Sequence, residues 1–420
     1  MTPKILTTLR DYSWPAFAAD ALAGVTVAMV AIPLSIAIAI ASGADPGTGL
    51  VTAIIGGFFI SALGGSRVQI GGPTGAFIVV VYGVIVAHGL DGLVTATFLA
   101  GLILVIAGRL KAGSLVAYVP EPVINGFTIG IAVIIATSQI KDLFGLQPAT
   151  APADFIPKLA ALWAARDSFD PASLGVGMFA ILLIVALRLR FPRWPGLIVA
   201  VALASALVPV LGLPVDTVGG RYGALPDHLP MPALPALGLG RIVELLPSAL
   251  VIAFLAGVES LLSAKVADRM IGGNTRANAE VVAQGAANIA SALFGGLPAT
   301  GAIARTATNV HAGGRTPVAG MIHAVAILAV MMLAAPLAGY LAMPALAGLL
   351  LLTAWGMSEP HKWRGYLAEP VSDRVLLVLT MVLTVLTDLT VAIGVGVALG
   401  LALKLRRRGA PPEDWTPPDH

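Results

Sequence analysis

The chain has no cysteine in its 420 residues, so neither a disulfide framework nor a thiolate metal site is open to it. Charge is nearly as scarce. Asp, Glu, Lys and Arg make up 11% of the residues, where a soluble domain carries about 25%, and a water-facing globular surface cannot be built from so few. The net charge of +3 suggests no nucleic-acid face. His311 and His323 flank loop ends and form no metal ligand set, no carboxylates are paired within an apolar run, and no nucleophile stands at a working spacing from a base, so an enzyme is not expected. Segments of about ten residues with alternating polarity are missing too, which excludes a transmembrane barrel.

What fills the chain instead is apolar: hydrophobic residues are 57% and the mean hydropathy is +0.92. A hydrocarbon core roughly 30 Å thick needs about 20 such residues per crossing. Apolar runs near 20–42, 48–64, 73–87, 91–108, 119–140, 172–190 and 195–213 are followed by others near 242–263, 278–294, 299–311, 317–335, 340–356, 372–387 and 389–405. The sequence therefore predicts an all-α polytopic membrane protein of about 14 transmembrane segments, seven and seven. The division falls in a Pro-rich connection at 214–240, between a first repeat at 20–213 and a second at 241–405.

An odd number of segments per half turns the second copy over, so the repeat is expected to be inverted. With residues 1–19 as a cytoplasmic lead-in and 406–420 as a cytoplasmic tail, 19 of the 25 Lys and Arg fall inside and 5 outside, as the positive-inside rule requires. The inner groups include Arg188/Arg190/Arg193 and Lys404/Arg406/Arg407/Arg408, and the loop at 141–171 carries an amphipathic piece, Phe155 to Ala165, outside. Asp20 and Asp388 are expected near the interfaces, without a functional role.

The remaining basic residue is Arg305, inside the run Gly295-Gly-Leu-Pro-Ala-Thr-Gly-Ala-Ile-Ala-Arg-Thr. An echo stands at Gly71-Gly-Pro-Thr-Gly-Ala-Phe. In each copy glycines and a proline end one apolar segment before a short helix-capable run begins, and these occupy the third and tenth places. Such half-helices at matching positions point to a transporter's binding site. Thr74, Gly75, Ala76 and Phe77, and Thr300, Gly301, Ala302 and Ile303, are expected to offer unpaired amides at the positive ends of helix dipoles, where an anion would bind. The competing reading is a pair of Gly-Pro kinks in packed helices.

A guanidinium within a span costs about 3 kcal/mol by insertion scales, so Arg305 is a second candidate for the anion, against a structural ion pair or a snorkelling role. Glu259, in an apolar run, is a candidate proton-coupling residue because ionising a carboxyl away from water is costly; an ion pair to Arg305 is the alternative. Pro33 removes a backbone bond in the first span and opens a bend where Ser35 can reach a substrate. No cofactor is implied.

With these residues in view the sequence resembles the SulP family of sulfate permeases and solute-carrier anion transporters, as a bacterial member. The resemblance rests on Thr300-Gly-Ala-Ile-Ala-Arg-Thr-Ala-Thr-Asn through Gly313-Gly-Arg-Thr, on Gly72-Pro-Thr-Gly-Ala-Phe, on Val119-Pro-Glu-Pro-Val-Ile-Asn-Gly-Phe-Thr and on Ala31-Ile-Pro-Leu-Ser-Ile-Ala. It implies a core domain of segments 1–4 and 8–11 and a gate domain of 5–7 and 12–14, with substrate held between the starts of the third and tenth helices and the first and eighth alongside. Two features depart from the pattern: Ala304 stands where many members have serine, and no STAS domain follows the last span, as in a short member or a truncated one.

The expectation is thus a secondary active anion transporter of the bacterial inner membrane, with both termini cytoplasmic. It would take a small anion such as sulfate, bicarbonate or fumarate by elevator-like alternating access. Symport with protons is favoured over sodium, since only Ser260, Ser263 and Thr300 add side-chain oxygens near Glu259. An anion exchanger or a channel-like conductor on the same fold is the alternative, and a homodimer is left open as the assembly.

Overall fold

The computed structural model describes residues 2–10, 12–111, 113, 120–150, 152, 154–191, 195–387 and 389–406. Arg193, Arg407, Arg408, Asp388, Val119 and the rest of the tail, all singled out above, lie outside them. The first half comprises α1 (Ile5–Thr8), α2 (Trp14–Ala41), α3 (Pro46–Leu63), α4 (Ile78–Arg109), α5 (Glu121–Leu143), α6 (Phe155–Ala164), α7 (Pro171–Arg190) and α8 (Gly196–Leu211). The short α9 (Val218–Tyr222) lies in the Pro-rich connection, and α10 (Leu239–Ile271), α11 (Ala277–Leu293), α12 (Ile303–His311), α13 (Pro317–Ala338), α14 (Met343–Met357), α15 (Trp363–Ala368), α16 (Val371–Leu386) and α17 (Leu389–Arg406) follow.

Four of the helices start on one sequence rule. A Ser, Asp or Thr accepts a hydrogen bond from the first turn and a proline follows within two residues: Ser13 before α2, Asp45 before α3, Asp170 before α7 and Thr316 before α13. The side-chain oxygen satisfies an orphan amide, and proline's missing N–H is one of those orphans anyway. The cap at Ser13 explains why the first long helix begins at Trp14, earlier than its apolar run. The runs at 73–87 and 91–108 join as one helix in α4, broken at Gly89, where φ of 71° leaves the helical region. Among the described residues seven helices (α2, α3, α4, α5, α7, α10 and α13) are long and apolar enough to cross a membrane. The amphipathic piece forms α6, with Lys158 Nζ 4.9 Å from the Tyr82 ring centre.

The helices pack as two bundles. In one, α4 packs along α10 and α11, while α13 packs along α2 and α3; in the other, α5 lies against α14 and α16, and α7 against α8 and α14. The seam between them is formed mainly where α2 meets α8 and α14. Small residues set the spacing within the first bundle: a Cβ at Gly101 would come 2.8 Å from the carbonyl oxygen of Gly285, and one at Gly285 2.6 Å from that of Gly101. The Pro-rich connection is tied down by Arg221, which reaches Asp142 at 2.6 Å and Asp216 at 2.7 Å.

One element departs from an all-helical reading. Gly71–Gly72 (β1) and Thr300–Gly301 (β2) pair antiparallel, Gly71 opposite Gly301 and Gly72 opposite Thr300.

Candidate functional site: the crossing of two half-helices

The two-residue ribbon brings the starts of α4 and α12 side by side in the first bundle. After β1 the chain makes a 3-10 turn at Gly75–Phe77 and enters α4; after β2 it enters α12 directly. Glycine pairs follow the ends of the preceding helices, Gly64-Gly65 after α3 and Gly295-Gly296 after α11, with Gly295 at a positive φ of 68°, and the ribbon satisfies backbone groups freed by the breaks. The amides of Gly75 and Ala76 on one side, and of Ile303, Ala304 and Arg305 on the other, find no acceptor among the described residues. Both starts differ from expectation: the Phe77 amide donates to the Thr74 carbonyl at 3.2 Å, and at the second start the Ala302 amide donates to Ile70 O at 2.8 Å while Thr300 and Gly301 belong to the ribbon. The open amides there begin one residue after Ala302.

Arg305 is 1% exposed. Its Nη2 donates to Ser35 Oγ at 3.2 Å and to the Pro73 carbonyl at 3.1 Å, while Nε and Nη1 have no partner. The guanidinium therefore bridges α2, the approach to α4 and its own helix, with donors to spare. Ser35 is fully buried in α2, two residues after the in-helix Pro33.

Glu259, in α10, accepts from Thr74 Oγ1 at 2.9 Å. The ion pair with Arg305 that the sequence left open is not formed among the described residues; the carboxylate instead meets the threonine at the opposite helix start. Thr300 Oγ1 donates to the Ala256 carbonyl of α10 at 2.9 Å. Both site threonines thus bond to α10, one turn apart.

The supporting layer was not anticipated. Glu280, fully buried in α11, accepts from Gly65 N (2.8 Å), Ser66 N (3.2 Å), Ser260 Oγ (2.9 Å) and Gln284 Nε2 (2.8 Å). Gln69 donates to Ser260 at 2.8 Å and lies against Gly301. Asn288 clamps the residue just before β2, donating to Ala299 O and accepting from Ala299 N. Glu280, Gln284 and Asn288 recur every four residues, a polar stripe on one helix face that the sequence displays.

One other reading needs correction, and one residue set aside earlier has a structural role. His323 is fully buried inside α13 with neither ring nitrogen partnered, not at a loop end. Asp20 is buried as well, accepting from Tyr12, from the Thr316 hydroxyl and from the amides of Arg315 and Thr316. It holds the loop before α13. A concavity of about 670 Å³ lies elsewhere, between 226–236 and the ends of α3, α10 and α11, and shares no residue with the crossing.

The sequence profile of the sulfate permease family matches residues 17–380. YvdB of Bacillus subtilis, whose name assigns it provisionally to sulfate transport, is 42% identical over 384 residues, covering 91% of this chain and 72% of its own. The bicarbonate transporter BicA of Synechocystis is 33% identical over 387 residues, covering 89% and 67%. The solved transmembrane domain of a cyanobacterial BicA superposes with a TM-score of 0.82 at 31% identity, over 91% of this chain and 98% of that one. The structure of SLC26A9 superposes with a TM-score of 0.87 at 19% identity, over 96% and 68%, a likeness of fold alone.

Proposed function

We propose that this chain, which belongs to the sulfate permease family, is a secondary carrier that takes a small anion at the crossing of its two half-helices. The family and its relatives are transporters, not enzymes. The observation that carries the reading is Arg305: a buried cation whose Nε and Nη1 are unpaired, set beside two helix starts with open amides. A buried charge without a counter-charge is costly. An anion bound between the starts supplies that charge and takes the free donors.

In this reading Thr74 to Phe77 and Thr300 to Ile303 form the cradle, with amides at its mouth, and Arg305 supplies the formal charge that the dipoles supplement. Ser35, two residues after Pro33 in α2, holds the guanidinium in place. Glu259 is the coupling group: bonded to Thr74 and free of Arg305, it takes up a proton as the anion loads, giving symport. The relatives' names put sulfate and bicarbonate first among candidate anions, with dicarboxylates such as fumarate next. The about 14 segments would form two inverted repeats of seven, divided as 20–213 and 241–405 about the 214–240 connection. The first bundle would then carry the site past the second as an elevator between the two sides of a bacterial plasma membrane, with both termini cytoplasmic.

The test is uptake of labelled sulfate, bicarbonate, chloride and fumarate into proteoliposomes, with and without an inward proton gradient in sodium-free buffer. Saturable uptake of one or more anions, accelerated by the gradient and weakened or lost in Arg305→Ala, is expected. Non-saturating flux would make the protein a conductor, and anion-for-anion exchange indifferent to the gradient would remove the symport.

A further inference from the structure

The segments 64–70 and 312–316 lead into β1 and out of α12, and each carries an exposed arginine. Neither the Arg67 nor the Arg315 side chain has a partner among the described residues. Both line a concavity of about 340 Å³ together with Lys4, Thr7, Thr8 and Tyr12. With Thr316 also in the lining, three cations and four hydroxyls converge on one space. The nearby acidic groups, Asp20 and Asp268, form no ion pair with these cations among the described residues, and two carboxylates against three cations leave the space net positive. Asp20 directs its oxygens to Tyr12, Thr316 and the 315–316 amides, and Asp268 accepts from the Thr275 amide. Lys4 donates to the Asn274 carbonyl at 2.7 Å, and its ammonium is held below the usual lysine range, first by burial and then by Arg276, with Arg67 adding in the same sense and Asp268 opposing.

Beside this basic concavity the surface is apolar. Leu6 and Leu9 on and after α1, and Trp14 and Phe17 on the first turn of α2, are exposed, with the two rings stacked 5.1 Å apart. Exposed tryptophan next to basic side chains marks the level where headgroup meets acyl chain. A soluble anion would have no use for the collar.

We propose that this concavity binds the phosphate of an anionic phospholipid, gripped by Arg67 and Arg315, with Trp14 and Phe17 against its acyl chains. The lipid would join the two segments that feed the crossing, since Arg67 stands four residues before Gly71 and Arg315 four after His311. Native mass spectrometry of the purified chain, titrated with phosphatidylglycerol or phosphatidylcholine, tests this. The variants are Arg67→Gln/Arg315→Gln and, as a control removing two charges elsewhere, Arg188→Gln/Arg190→Gln. Wild type and control should retain one tightly held phosphatidylglycerol that phosphatidylcholine does not replace. The Arg67/Arg315 variant should bind it about 30-fold more weakly, roughly fivefold for each charge. Equal retention by both double variants would overturn the proposal. Displacement of the lipid by millimolar inorganic phosphate would assign the space to a soluble anion and overturn it as well.

Discussion

Arg305 holds two protein groups with one nitrogen and keeps the rest of its guanidinium unpaired, so its removal is expected to cost function more than folding. Charged hydrogen bonds are worth about 1.5–3 kcal/mol each, and Arg305→Ala should raise the KM for the anion by about 10- to 150-fold or abolish uptake, while the melting temperature in detergent stays near wild type. Glu259→Gln keeps an acceptor for Thr74, so uptake should persist but lose its acceleration by an imposed proton gradient; full retained dependence would exclude Glu259 as the coupling group. Glu280 is the contrasting case. Glu280→Ala strands four donors in a buried site and should destabilise the protein by about 3–5 kcal/mol, whereas Glu280→Gln, which keeps an acceptor oxygen, should melt closer to wild type. Arg305 and Glu259 were legible because a lone charge is conspicuous in an apolar run. Their partners were not. Thr74 is 185 positions from Glu259, and no local pattern says which of two distant groups a carboxylate will meet.

Among the elements, the ribbon at the crossing makes the strictest demand on sequence. A Cβ at Gly72, where φ is +147°, would come 2.6 Å from Arg305 Nη1, and one at Gly301 would overlap the amide of Gln69. Gly72→Ala and Gly301→Ala should therefore displace the guanidinium or its support, with loss of uptake and about 1–3 kcal/mol of stability. Gly356→Ala in α14, with open space around it, should leave uptake unchanged. Sequence reading found both helix breaks from Gly, Pro and Thr, and found α6 from its amphipathic spacing. It could not find the strands, because two residues carry no alternation and the pairing partner is more than two hundred positions away.

At the scale of the molecule, the proposed sliding of one bundle past the other can be tested by arresting it at the seam. Gly75, at the first helix start, lies against Met357 of the second bundle, with 3.0 Å from its built Cβ to Met357 Sδ. The chain has no cysteine of its own, so Gly75→Cys/Met357→Cys can be bridged selectively by a short bifunctional thiol reagent. Bridging should stop the uptake that the same double variant shows before the reagent is added, and continued transport by the bridged protein would remove the sliding mechanism. The apolar runs were enough to expect many crossings, but the bundles depend on which faces meet, and those faces are almost uniformly apolar. The ribbon also bears on how the chain is made. Its first strand waits for a partner on the far side of the Pro-rich connection, and the Gly65 and Ser66 amides wait for Glu280. Until the ribosome has delivered α11 and β2, the nascent first half holds open backbone groups at its centre, so the crossing of the two half-helices is completed only late in synthesis.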